Sequence, residues 1–199
     1  MAPKNIYLLR HGEVETQGSR RFIGQINIPL NHNGRLQAFR LRDHLAVVGF
    51  NYVYCSDLER SLKTALFICE KQEARPIIRK DLREISLGCW EGKSFLEIQS
   101  GQPEEFSKRG RDIVHYRPPG GESFLDCAAR AVRALYEIIG SPGNNILVVG
   151  HAGLNRCIIC HVLGSPLKNL FNIAQDYGCM NKLEVDGIHL KLVRMNWIL

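Results

Sequence analysis

The chain predicts an α/β fold, a three-layer α/β/α sandwich around a mostly parallel, mixed sheet. Three observations carry this. Asn5-Ile6-Tyr7-Leu8-Leu9 and Asn145-Ile146-Leu147-Val148-Val149 are continuous apolar runs of the kind buried on both faces of a parallel sheet. Helical periodicity follows the early strand-like segments, giving a βαβα beginning. Near the C-terminus, Asp186-Gly187 between Lys182–Val185 and His189–Val193 is a hairpin signal that adds antiparallel strands at an edge.

The elements follow in order. After the first strand, a polar loop with Gln17, Gly18, Arg20, Arg21, Gly24 and Pro29 is too long for a simple connection and is a candidate substrate loop. Asn33-Gly34 opens a helical pattern with Leu36, Phe39, Leu41 and Leu45 on its apolar side. Residues 51–55 form a second strand, and Ser56 or Asp57 can cap the next helix, whose apolar positions include Leu58, Leu62, Leu66 and Cys69. A short third strand spans 76–79, and 82–92 is irregular. Between Lys93 and Pro119 polarity rises and glycines and prolines break long elements, which predicts a short helix and a mobile lid at about 93–119. Residues 122–139 are helical, with Phe124, Cys127, Ala128, Ala131, Leu135 and Ile138 on one face. A further helix with Ile158, Ile159 and Val162 follows Gly150-His151-Ala152-Gly153. No repeat or low-complexity linker divides residues 1–199, so one domain is expected.

With 45% hydrophobic and 23% charged residues, the composition is that of an ordinary globular protein. No apolar run approaches the roughly 20 residues that cross a bilayer, so a soluble protein without an export signal and without a membrane partner is expected. Seven cysteines, an odd number and mostly spread singly, do not form a disulfide framework and fit a reducing cytoplasm. The net charge of +6 suits nucleic acid or small anions. The basic residues are dispersed, with a modest cluster from Lys108 to Arg117, and lack interleaved aromatic residues, which argues against a nucleic-acid partner.

His11 and His151 share one architectural address, each following an apolar strand beside a glycine. In a parallel sheet both emerge at the carboxyl edge, where open α/β sheets bind ligands. One such histidine is usually a buried structural group; two at matched addresses point to a site. Arg10 adjoins the first. Arg60, early in the helix after the second strand, fits a phosphate ligand or a surface ion pair with Glu59 or Asp57, and spacing does not separate the two. Glu84 on its own reads as a surface acid.

Arg10-His11-Gly12-Glu13, Arg21–Gln25 with Pro29-Leu30 and Gly34, Ser56–Ser61 with Thr64-Ala65, Leu82-Arg83-Glu84 with Gly88 and Trp90-Glu91-Gly92, Pro119–Ser123, and Val149–Gly153 stand in the order of the histidine phosphatase superfamily, phosphoglycerate mutase-like branch. The chain resembles that family from about residue 5 to about residue 165, and most resembles its α-ribazole-5'-phosphate phosphatases. The resemblance implies that His11 is the nucleophile that becomes a phosphohistidine, that Arg10, Arg60 and His151 bind the phosphoryl oxygens, and that Glu84 is the proton donor. That role needs Glu84 to hold its proton near neutral pH, through semi-burial beside Trp90 or the incoming dianion. His11 must be neutral at its attacking nitrogen, whereas His151 helps most as a cation.

Departures bear on the substrate. Gln17 stands where many relatives carry asparagine and can still bind phosphate. Ile23 replaces a small hydroxyl residue, so a contact there must come from backbone N–H groups near Gly24. Val14 and the short stretch between Glu84 and Pro118 point away from glycolytic mutases. The implied activity is metal-independent hydrolysis of a small phosphorylated metabolite, with α-ribazole 5'-phosphate of cobalamin assembly as one candidate. A phosphomutase and a non-catalytic phosphate sensor are the alternatives. No cofactor is implied, and a homodimer stays open. Cys157 and Cys160 lack a second ligand pair and read as core packing; Cys55 and Cys89 adjoin the motifs.

Overall fold

A computed structural model of the chain describes residues 3–16, 18, 20–187 and 189–199. Strands β1 (Lys4–Arg10), β2 (Tyr52–Cys55), β3 (Pro76–Ile78), β4 (Asn145–Gly150), β5 (Met180–Asp186) and β6 (His189–Trp197) form one sheet in the order β3-β2-β4-β1-β5-β6. β1, β2, β3 and β4 are mutually parallel, and β5 runs against β1 and β6. The sheet is thus mixed and mostly parallel.

Alternation in the strands sorts side chains between two helical layers. Ile6 and Leu8 of β1 and Ile146 and Val148 of β4 join a core with α5 (Phe124–Ile139) and α6 (Ala152–Leu163). Leu9, Leu147 and Val149 point the other way, into a core with α1 (His32–Leu45) and α2 (Glu59–Cys69).

The connections then locate a crevice. From β1 the chain crosses through α1 to β2 on one side; from β4 it crosses through α6 to β5 on the other. Adjacent strands whose connections depart in opposite directions leave an opening at their carboxyl ends. The register pairs Arg10 with Gly150, so His11 and His151 leave the sheet side by side at that opening.

Several local expectations are corrected. α1 starts at His32, because the Asn31 side chain accepts the Gly34 N–H at 2.8 Å and caps it one step earlier than Asn33-Gly34 suggested. Leu36 and Leu66 are exposed; Ala38 and Thr64-Ala65 lie on the buried faces instead. Neither Ser56 nor Asp57 is the N-cap of α2: Leu58 holds that position, because the Ser56 hydroxyl is engaged by His151 and the Asp57 carboxylate by Arg83. α5 begins at Phe124, two residues later than expected, since Ser123 and Asp126 form a capping box and Glu122 binds Arg130.

The 93–119 region holds two helices rather than one, α3 (Phe95–Gly101) and α4 (Pro103–Arg111). Ser94 and Glu97 cap the first, and Pro103 starts the second, where its missing N–H costs nothing. Backbone bonds Phe22 N–H to Lys93 O, Gly92 N–H to Phe22 O and Phe95 N–H to Arg20 O tie this segment to the polar loop. Phe22 stacks on Phe95 with ring centres 4.1 Å apart. Cys157 and Cys160 are buried in the α5/α6 core and Cys55 in the other, while Cys89 is exposed. No metal-binding cluster occurs among the described residues, and no helix among them is long and apolar enough to cross a membrane.

Candidate active site

His11 is 4% exposed, and its ring is oriented by its own loop. Nδ1 lies 2.7 Å from the Gly12 carbonyl oxygen. A carbonyl can only accept, so Nδ1 carries the proton and Nε2 presents a lone pair. The Arg60 Nε–H donates to that Nε2 at 3.2 Å. Burial, then the charges of Arg60 and Arg10, hold His11 well below its usual 6.5, against a raising contribution from Gly12. The imidazole is therefore neutral and nucleophilic at Nε2. Gly12 allows this turn: a Cβ there would collide with the Gly34 carbonyl oxygen, where the start of α1 packs against the loop.

Arg60 is 1% exposed, which rules out the surface ion pair with Glu59 or Asp57. Its guanidinium donates to the Ile26 and Gly24 carbonyl oxygens at 2.8 and 2.6 Å as well as to His11. One side chain thus joins the polar loop to the imidazole. Arg10 stacks 3.6 Å over the Tyr177 ring, donates to the Gln175 carbonyl, and has a buried Nε–H without a partner.

His151 is fully buried, its ring centre 5.1 Å from that of His11. Its Nε2 meets the Ser56 hydroxyl at 2.7 Å and its Nδ1 has no partner. Burial, followed by Arg60, His11 and Arg10, pushes it well below 6.5, a direction that disfavours the cation in which it would help most. The Leu58 N–H also donates to Ser56 Oγ, whose hydroxyl can either donate to Nε2 or accept from it; where it donates, the ring proton stands on the unpartnered Nδ1.

Glu84 is 7% exposed and its carboxyl sits on the first turn of α6. The Gly153 N–H donates to Oε2 at 2.9 Å, and the Leu154 and Ile85 N–H groups donate to Oε1 at 3.0 Å. A helix N-terminus favours an acidic partner. Gly153 makes room: a Cβ there would stand 2.5 Å from Glu84 Oε1.

Glu84 and Arg10 both line a cleft of about 370 Å³. Gly24 is not among the described residues that line this cleft, and it has no space for a Cβ against Glu91 and Ile85. The neighbouring N–H groups of Gln25 and Ile26 are taken by the Glu91 carboxylate at 2.7 and 2.8 Å. Gln17 lies outside the described residues.

Sequence reading missed Ser56 as a partner of His151, Glu91 as a clamp on the polar loop, Tyr177 beneath Arg10, and Arg109 and Arg156 in the cleft wall. Arg156 had a usable signal, one helical turn beyond Ala152-Gly153. Ser56 and Glu91 stood inside the motif segments and Arg109 inside the basic cluster, but the contacts they make join remote segments and had no local signal.

The histidine phosphatase superfamily (branch 1) family model matches residues 6–198. The chain is 29% identical to the adenosylcobalamin/alpha-ribazole phosphatase of Escherichia coli over 91% of this chain and 90% of that one. It is 31% identical to the glucosyl-3-phosphoglycerate phosphatase of Mycolicibacterium vanbaalenii, over 85% and 78%. Its structure superposes on the crystal structure of the alpha-ribazole phosphatase from Shigella flexneri with a TM-score of 0.89 at 28% identity, covering 97% of this chain and 96% of that one. With two histidines and two arginines gathered at the sheet's switch point and a family match over nearly the whole length, the chain belongs to the histidine phosphatase superfamily, branch 1.

Proposed function

We propose that this protein hydrolyses small phosphomonoesters in two steps through a phosphohistidine on His11, without a metal ion. The observation that carries this reading is the neutral His11 ring, with its proton fixed at Nδ1 and its Nε2 lone pair turned to Arg60. A nucleophile in this state attacks without first losing a proton. In the first step Nε2 bonds to phosphorus as the P–O bond to the leaving alcohol breaks. Glu84 acts as the general acid and gives a proton to that departing oxygen. Arg10 and Arg60 hold the non-bridging oxygens, with Arg60 exchanging its contact to Nε2 for one to phosphate. His151 donates to the same group from Nδ1. In the second step Glu84 takes a proton from water, which attacks phosphorus and returns His11 to its neutral form.

The loop with Gln17 and Gly24 and the segment 93–119 serve as substrate loop and lid, a role favoured by their backbone ties across residues 20–22 and 92–95. The free thiols suit a reducing cytoplasm. Two leaving groups come to the chain from the names of its relatives: that of α-ribazole 5'-phosphate, a neutral nucleoside, and that of glucosyl-3-phosphoglycerate, which bears a carboxylate.

The test is rapid-quench labelling with a phosphorus-labelled aryl phosphate in excess chelator. Acid-labile label on the protein, lost in His11→Ala, together with release of inorganic phosphate, is the expected result. No label during turnover, or turnover only after metal is restored, overturns the reading. Label that passes to a second alcohol without free phosphate marks a mutase instead.

A further inference from the structure

We propose that the cleft selects phosphomonoesters whose leaving group carries a second anionic group, a carboxylate or another phosphate, bound between Arg20 and Arg109. This rests on the phosphatase reading above and narrows its substrate class.

Arginines pair differently inside and outside the cleft. Outside the cleft, the half-buried arginines Arg42, Arg79, Arg83 and Arg130 each pair with a carboxylate. Inside it, Arg10, Arg21, Arg109 and Arg156 are likewise half-buried and form no ion pair among the described residues, and the exposed Arg20 beside them forms none either. Glu84 is the sole carboxylate of the described lining, and three backbone N–H groups already hold it. Guanidinium groups withdrawn from water are normally matched by anions.

Arg20 and Arg109 are held by aromatic rings. The Arg20 guanidinium lies 4.7 Å over the Phe95 ring and that of Arg109 lies 5.4 Å over Phe22, and these two rings stack on each other. The aromatic faces keep two like charges close enough to oppose one another; burial first, and Arg20 in addition, push Arg109 below its usual range. Holding two cations together beside an open cleft is unfavourable until an anion joins them. One reacting phosphoryl group accounts for Arg10 at the end of β1 and Arg60 in the first turn of α2. It leaves the pair on the loop and α4 unmatched. The cleft, at about 370 Å³, has room for a small metabolite beyond the phosphoryl group, and Ile23, Phe124 and Phe171 supply apolar wall for its skeleton.

The experiment compares kcat/KM within matched pairs: 3-phosphoglycerate against glycerol 3-phosphate, and fructose 1,6-bisphosphate against fructose 6-phosphate, with α-ribazole 5'-phosphate as a neutral nucleoside ester. The anionic member of at least one pair is expected to lead by about ten- to a hundredfold, chiefly through KM, and to exceed α-ribazole 5'-phosphate. The pair that shows the gap tells a carboxylate from a phosphate. In Arg109→Gln and Arg20→Gln the gap is expected to close toward one. Equal or better turnover of every neutral member by the unmodified protein, or a gap that survives both substitutions, overturns the proposal. The unmodified protein alone decides the first outcome, so a misfolded variant does not protect the idea. Release of phosphate from an aryl ester with no gap between pair members removes only this inference, whereas no turnover of any ester removes the phosphatase reading itself.

Discussion

His11 and His151 leave neighbouring strands at paired positions, yet their rings are wired in opposite senses. At the β1 end Nδ1 is fixed by a backbone carbonyl and Nε2 faces the guanidinium of Arg60; at the β4 end Nε2 is fixed by the Ser56 hydroxyl and Nδ1 is left without a partner. The anchored nitrogen decides what the other one offers. A carbonyl anchor forces a lone pair onto the far nitrogen, which makes a nucleophile, and a hydroxyl anchor that donates leaves a proton there, which makes a hydrogen-bond donor. In the proposed reaction this difference divides two residues that look interchangeable as letters into attacker and binder.

The sharpest way to break that comparison is to remove each ring. His11→Ala is expected to lower turnover of an aryl phosphate by at least about four orders of magnitude, as loss of a nucleophile does. His151→Ala is expected to cost about two to three, the worth of one donor to a developing charge. Equal losses, measured as kcat on the same ester, would mean that the two rings are not divided in this way.

A smaller effect is expected where α6 meets the acid. In Gly153→Ala the new methyl group has to displace the Glu84 carboxyl, whose oxygen lies 2.5 Å from that position. A shift of this kind should reduce kcat by about ten- to a hundredfold. An aryl ester with a good leaving group, which needs little protonation, should be affected less than an alkyl ester. Loss of equal size on both would place the damage elsewhere than in proton transfer.

The smallest effect is on stability. Burial, with Arg60 next, holds both rings below the 6.5 at which they would titrate in the unfolded chain. As the pH falls past that value the unfolded chain binds protons that the folded one refuses. The stability contributed by the two neutral rings is therefore full above about pH 6.5 and is lost progressively below it. Tm followed by circular dichroism should decline between about pH 6.5 and 5, and the decline should shrink in a His11→Asn, His151→Asn double variant. An unchanged slope in that variant would show that other groups set the acid limb.

Much of the frame was legible because it follows from short-range rules. The apolar runs of β1 and β4, the glycine after each, and the Asp186-Gly187 hairpin each specify their element from within a few residues. Helix starts were less legible: Asn31 caps α1 one step ahead of Asn33-Gly34, and Leu58 and Ser123 hold the cap positions of α2 and α5, where Ser56, Asp57 and Glu122 are claimed by His151, Arg83 and Arg130. A capping residue and a site residue draw on the same few side-chain types, and only the folded chain shows which use prevails.

The motif order by itself determined the family, and with it the candidate nucleophile, acid and arginines, since these lie in segments whose local pattern repeats across relatives. Tertiary structure alone decided the burial that depresses the titration of His151, the engagement of Arg60 with loop carbonyls, and the cleft-wall arginines that form no ion pair among the described residues. The physical reason is that a letter fixes which protons and charges a side chain can carry, whereas burial and the partners brought from distant segments fix which of those states it adopts.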